Sequence, residues 1–339
     1  MNFLKTVQII ILLSLSLGLS QEIKPLPLIL SGPAGDKILE MSSLSWAGET
    51  LLLMPQYPNN FKPLVYGIDK SIIKDRIKNP RIPIEPKEYS IQLKDLLDSV
   101  PGFQGFEAVC YVRGELYFLI EAEVNRLMSS YITKGTFDET EKKIIIDENH
   151  LTKIEPPVDI HNMAFESLLY TRKTLWALFE ANGANANPSP KVYTFSLDLR
   201  SKKQVSFPNV EYRITDFTTV DSHGRFWAIN YFWPGYRKYI NPENDVYVHQ
   251  FGKGETHKKY EHVERLLEFQ ISNNEVSPTE TRPVEIVLEE NSPRNWEGLV
   301  KLDNLGFFNR STGKIGKLVF HFDIVFPKKL DNQRKDLLK

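Results

Sequence analysis

Short apolar runs separated by Gly, Pro, Asn and Asp recur along this chain from residue 24 to residue 324. That is a pattern of strands and turns rather than of helices. Residues 106–123, FEAVCYVRGELYFLIEAE, show it well. Two apolar strands flank a turn at Arg113 and Gly114, with Glu107 and Glu121 at the outer ends. In a simple antiparallel hairpin these two carboxylates fall opposite each other, which like charges disfavour.

The same hairpin recurs. Related segments start at Glu40 (EMSSLSWAGETLLLM), Glu166 (ESLLYTRKTLWALFE), Asp216 (DFTTVDSHGRFWAIN) and Glu297 (EGLVKLDNLGFFNRS). Their turns centre on Ala47 and Gly48, Arg172 and Lys173, His223 and Gly224, and Asp303 and Asn304. Third strands are expected at 63–69, 130–134, 191–198, 265–272 and 317–324, and fourth strands at 83–93, 142–147, 204–207 and 283–288. The fifth unit has no fourth strand of its own, and the run 24–30 supplies one. Four-stranded units repeated in this way define an all-β propeller of five blades, its ring closed by an N-terminal strand. The alternative is six blades, with the extra one inside 231–290. A short helix is expected over 93–100, where LKDLLDSV stops at Pro101 and Gly102.

Residues 1–20 combine Lys5, an apolar run and the small residues Gly18 and Ser20. This reads as a signal peptide, with export to the periplasm or the extracellular space and residues 21–339 as one domain. No later run is long and apolar enough to span a bilayer. The net charge of −1 gives no basic surface for nucleic acid. Cys110 is the only cysteine, lies inside an apolar strand, and is expected to be packing.

In a propeller the first strand of each blade lines the central channel. Glu40, Glu107, Glu166, Asp216 and Glu297 are then expected to ring the axis, with Glu121, Glu180 and Asn230 outside them. Acids crowded at one mouth repel. Calcium, a hard cation with oxygen ligands, resolves this, either as a structural pin or at a reacting centre. The other reading pairs the acids with backbone amides or with Arg213 and Arg294.

The segments FEAVCYVRGELYFLIEA and NWEGLVKLDNLGFF resemble the bacterial phytase-like propellers, the family with esterase-like activity of phytase. The chain is also similar to the calcium-activated apyrases, which are five-bladed. The resemblance implies an axial calcium near Glu40 with Ser43, Glu107, Glu166 with Ser167, Thr218 or Thr219, and Glu297. It also implies hydrolysis of phosphoesters or carboxyl esters. Blade five departs from the pattern at Asn309 and Arg310.

Two functions follow. One is a calcium-dependent hydrolase of a small phosphoester, with Glu107 and Glu121 as ligand or general base and Arg294 stabilising charge. The other is a non-enzymatic propeller that binds a protein or small ligand, with calcium structural. Arg237, Lys238, Lys258 and Lys259 are candidate phosphate contacts or solvated loop charges. Trp233, Tyr236 and Tyr239 are candidates to stack on a base or sugar. His249, His257 and His262 fit no zinc spacing and are expected at the surface. A glycosidase pair at Glu107 and Glu121 is disfavoured, since opposed residues stand too close for inversion.

Overall fold

The computed structural model describes residues 22–303 and 306–322, apart from 59–61, 172, 274, 291–292 and 312–317. Residues 1–20, expected as a signal peptide, part of the turns at Arg172 and Asn304, and the C-terminal residues lie outside them. The chain enters through β1 (Leu26–Ile29). Blade one is β2 (Met41–Ala47), β3 (Thr50–Pro55), β4 (Leu64–Asp69) and β5 (Lys87–Gln92), with α1 (Lys70–Lys78) between the last two. After α2 (Lys94–Ser99), blade two is β6 (Phe103–Val112), β7 (Glu115–Val124), β8 (Leu127–Asp138) and β9 (Lys143–Ile154). Blade three is β10 (Phe165–Thr171), β11 (Thr174–Phe179), β12 (Lys191–Phe195) and β13 (Lys202–Ser206). Blade four starts with β14 (Arg213–Phe217) and β15 (Arg225–Phe232). It then passes through α3 (Arg237–Ile240), α4 (Val246–Phe251) and α5 (Glu255–Lys259) before β16 (Val263–Ser272), β17 (Glu275–Pro278) and β18 (Val284–Glu285). Blade five is β19 (Trp296–Leu302), β20 (Gly306–Ser311) and β21 (Leu318–Phe322).

The molecule is an all-β propeller of five blades. β1 pairs antiparallel with β21, so the N-terminal strand completes blade five. Blades one and two are also joined at the rim, where Ser90–Gln92 pairs in parallel with Lys143–Ile145. Residues 231–290 hold three short helices and the remainder of blade four, which overturns the six-blade alternative. The expected fourth strand of that blade, 283–288, is also corrected. β17 pairs with the outer half of β16, while β18 reaches only Arg265 and Leu266. Pro278 and Pro283 flank the break, and proline has no N–H to give a ladder. The helix expected over 93–100 is α2; α1 was not anticipated, because its one buried residue, Ile73, leaves little apolar stripe.

Both faces of each blade are covered, and the apolar residues fall into clusters at the blade interfaces. Leu52 and Met54 of blade one meet Phe106 and Phe118 of blade two. Tyr117 of blade two meets Phe165 and Phe179 of blade three. Trp176 of blade three meets Phe226 and Phe269 of blade four. Trp227 and Ile229 of blade four meet Trp296 of blade five. Val300 and Leu302 return to Leu44 and Leu51 of blade one. Burying strands on two faces explains the near-continuous apolar runs in the sequence.

The inner strands β2, β6, β10, β14 and β19 adjoin in cyclic order around the axis. They splay too far for a common ladder, and hydroxyls join them instead. Val109 N–H and Tyr111 N–H donate to Ser43 and Ser45, each at 2.9 Å. Ser167 donates to the Ile214 carbonyl at 3.4 Å and Thr215 to the Trp296 carbonyl at 2.6 Å.

Candidate functional site at the propeller axis

Every inner strand is irregular in its ladder near its start, and β6 has a second shift, between Phe103 and Gly105. The register shifts between Met41 and Ser43, Phe106 and Ala108, Phe165 and Ser167, Ile214 and Phe217, and Glu297 and Leu299. A bulge re-aims the side chain of its extra residue. In blades two and three that residue is Glu107 and Glu166; in blade one it is Ser42, and in blade five Gly298. Gly298 has a φ of 76°, and a Cβ there would lie 2.9 Å from Leu44. The repeated acids therefore do not occupy one equivalent position, and Glu40 and Glu297 stand outside the bulge. The register also corrects the expected opposition of Glu107 and Glu121, because Glu121 faces Gly105. The bulge nonetheless brings the two carboxyls into a hydrogen bond with each other.

Arg213 anchors the other side. Its Nη2 lies 2.6 Å from Glu166 Oε1, and its Nε donates to Glu180 Oε2. Ala164 N–H also donates to Glu180, at 3.0 Å. The guanidinium is packed between Tyr236 and Tyr231, 5.1 and 5.8 Å from the ring centres. Gln56 donates to Glu107 at 2.9 Å, and Asn295 donates to Glu297. Two carboxylate oxygens, Glu166 Oε2 and Glu297 Oε2, are buried with no hydrogen-bond partner.

The electrostatics follow from burial. Burial first, then the charges of Glu121, Glu166 and Glu297, hold Glu107 well above the usual carboxylate range. Burial raises Glu121 as well, against the bond from Glu107. Glu180 and Glu297 are held well above the range by burial and by Glu166, with Arg213 pulling the other way. Glu40 is exposed as a residue, yet partial burial raises its carboxyl, and its charge acts on Glu297. Tyr57 is pushed up to about 12 by burial and by the charges of Glu107, Glu40, Glu121 and Glu297, which places its hydroxyl among these acids. Without a further cation, such a site takes up protons.

Several expected site residues have other partners. Asp216 accepts Leu299 N–H at 2.6 Å and so ties blade four to blade five. Ser43 and Ser167 bond the backbone of the neighbouring blade. Thr218 accepts from Trp227 N–H and donates to the Thr219 carbonyl. Asn230 holds the carbonyls of Glu211 and Arg213 and accepts from Arg265. Arg294 does not reach the axial acids as an anion clamp: it is buried, 2.7 Å from Glu264, bonded to the Val287 carbonyl and stacked on Trp296. Lys258 pairs with Glu255 at 2.9 Å, and the exposed Arg237 lies 3.9 Å from Glu261.

His257 and His262 are buried, which corrects the expectation of surface histidines; His249 is exposed. Glu22, His257 and Glu285 form the one group of three acid or histidine ligands within 4.8 Å of one another among the described residues. Both ring nitrogens of His257 already have partners, Nδ1 with Glu22 at 2.8 Å and Nε2 with Glu264 N–H at 3.4 Å. Glu22 also accepts from Thr256 N–H and Oγ–H. This trio is an anchor for the N-terminal segment. Cys110 is buried and unpaired, with its thiol pushed up to about 12. Among the described residues no helix is long and apolar enough to cross a membrane.

Neither protein-family models nor characterised proteins give a match to the chain. Solved structures give distant ones. A GH43 protein from Bacillus licheniformis is 11% identical at a TM-score of 0.45, over 93% of this chain and 60% of its own. An exo-β-1,3-galactanase from Phanerochaete chrysosporium is 9% identical at 0.47, over 88% and 63%. An exo-1,5-α-L-arabinanase from a bovine ruminal metagenomic library is 8% identical at 0.43, over 85% and 94%. Likeness at this level leaves the fold to rest on the strand pairing itself. The class defined here is a five-bladed propeller with an acidic axial site.

Proposed function

We propose that the chain is an exported hydrolase whose axial acids hold calcium, acting on an ester or phosphoester at the mouth. The observation that carries this reading is the pair of buried, unpartnered oxygens Glu166 Oε2 and Glu297 Oε2. A buried carboxylate oxygen without a donor is costly, and a hard cation satisfies it. The donor set suits calcium, since it is all oxygen and contains no thiol or imidazole. The axial acids do not form a group of three within 4.8 Å among the described residues, so protein carboxylates alone would not fill a calcium shell of about six to eight oxygens. Glu166 and Glu297 would hold the ion, with Glu107 and Glu40 beside them. Calcium would polarise an ester or phosphoryl oxygen. The Glu107–Glu121 pair holds a proton that can be given to a leaving group, and Arg213 fixes Glu166 in place.

A second reading dispenses with the metal. The shared proton of Glu107 and Glu121 supports acid–base hydrolysis by carboxyls alone. It also agrees with Arg213 being engaged by Glu166 and Glu180, which leaves little cationic help for a phosphate.

The test is elemental analysis and calorimetric calcium titration of the purified protein, beside a screen of phosphate and carboxyl esters in calcium and in chelator. Binding with calcium-dependent turnover supports the first reading. Turnover unaffected by chelator supports the second. Calcium binding with no turnover on any ester supports a non-enzymatic propeller pinned by its metal.

A further inference from the structure

Beside the axial acids lies a group of aromatic rings that neither packing nor the axial chemistry uses fully. Trp233 is 46% exposed and Tyr239 40%. Trp233 directly follows β15 and Tyr239 lies in α3, with Tyr236 between them. Its ring is 5.2 Å from Trp233, edge-on, and 6.5 Å from Tyr239. The same Tyr236 ring stands 5.1 Å from the Arg213 guanidinium, which holds Glu166 at 2.6 Å. The exposed rings are therefore one side chain removed from the axial site.

Trp233 is also held flat. A Cβ on Gly235 would lie 2.6 Å from the indole ring, so the absence of a side chain lets the ring rest on the backbone there. One face is covered by Gly235 while much of the residue remains open to solvent. An indole seated on the backbone in this way offers its open face for stacking.

The flanking groups bear on what can stack. On the axial side stand the carboxyls of Glu166 and Glu180, both bonded to Arg213. On the outer side stand the exposed Arg237 and Lys238, the latter 4.6 Å from the Tyr239 ring centre. Hydrogen-bond acceptors and donors therefore lie on both flanks of the rings. A neutral ring rich in hydroxyls can use both, because it donates to carboxylates and accepts from the cationic groups. Its C–H face covers apolar surface on the indole.

We propose that Trp233, Tyr236 and Tyr239 form a subsite that binds the ring of a neutral sugar next to the axial acids. The subsite stands whether or not calcium occupies the axis.

The test uses linear saccharides of glucose, xylose, arabinose and galactose as probes, with adenosine as the non-sugar ring. Titrations followed by intrinsic fluorescence and calorimetry are run in calcium and in chelator, on wild type, Trp233→Ala and Trp233→Phe. At least one saccharide should bind saturably in both buffers. Trp233→Ala should weaken it about tenfold, and Trp233→Phe much less. Thermal melts of both variants should match wild type, since the ring is exposed. The proposal is overturned if no saccharide saturates by about 10 mM, if the alanine variant binds as well as wild type, or if adenosine alone binds. Saccharide binding that vanishes in chelator would assign the affinity to the metal and not to the platform. Failure of calcium to bind at all would leave the sugar result standing.

Discussion

Glu107 and Glu121 share a hydrogen bond although Glu121 faces Gly105 in the ladder, because Glu107 is the extra residue of a bulge in β6. The bond exists only while one of the pair is protonated. Burial, and the charges of Glu166 and Glu297 around Glu107, favour a proton on the pair. A cation entering the axis would compete with it.

Stability without calcium should therefore fall as pH rises. An acid whose folded pKa is raised contributes fully below its unfolded value of about 4.3, and the contribution is lost as pH climbs through the folded value. Glu107, Glu180 and Glu297 are all raised well above that range, and Glu121 and Glu40 are raised. In chelator, urea midpoints should decline as pH rises above the unfolded value of about 4.3. Glu297→Gln should flatten the decline, and calcium should offset it at the upper end. A rising midpoint across this window, unaltered in Glu297→Gln, would remove the axial acids as its cause.

Arg213→Met tests the anchor. The substitution leaves Glu166 and Glu180 buried, facing each other without a cation. Removing one partner of a buried pair costs about 3 to 5 kcal/mol. Arg213→Lys should recover only part, because an ammonium cannot reproduce the two bonds made from separate guanidinium nitrogens. Urea unfolding at neutral pH measures both; a loss below about 1 kcal/mol for Arg213→Met would show that the anchor is weak.

The blade count was legible because the inner strands of every blade are packed on both faces and so show as apolar runs, unlike outer strands such as Lys202–Ser206, and because turns such as Arg113 and Gly114 have positive φ. Ring closure was legible for a similar reason, as blade five has three strands and β1 is the spare. The site was legible only in part. Acids at the start of inner strands mark the axis, yet sequence spacing cannot show a bulge, and the bulge decides that Glu107 and Glu166 turn inward. Asp216, two residues past Ile214 in the same strand, goes instead to Leu299 N–H. Arg294 looked free beside Trp296 because its partner, Glu264, is thirty residues away in sequence. Glu22 and His257 are 235 apart, so their contact had no local signal.

The N-terminal segment should act as a clasp. Glu22 receives Thr256 N–H and Oγ–H and His257 N–H, and Ile23 bridges Ile286 before β1 reaches β21. Glu22→Ala orphans those donors and should cost about 1 to 3 kcal/mol. Deleting residues 22–30 should do more, leaving β21 as an unpaired edge open to other chains. Size exclusion with light scattering reads the outcome, and a monodisperse deletion variant with wild-type melting would place the closure elsewhere.

Glu107→Gln separates the proton from the cation. Glutamine offers Glu121 a permanent donor where Glu107 must first be protonated, so in chelator at neutral pH the variant should melt no lower than wild type. It also removes a buried charge. In calcium the sign reverses. Wild type should gain about 2.7 kcal/mol at a hundredfold excess over the dissociation constant. The variant has lost a charged oxygen beside the ion, and each tenfold loss of affinity removes about 1.4 kcal/mol of that gain. The two melts, together with calcium calorimetry, give opposite signs for one substitution. Equal destabilisation in chelator and in calcium would make Glu107 a structural carboxyl, engaged by Gln56 and Glu121 and indifferent to any metal.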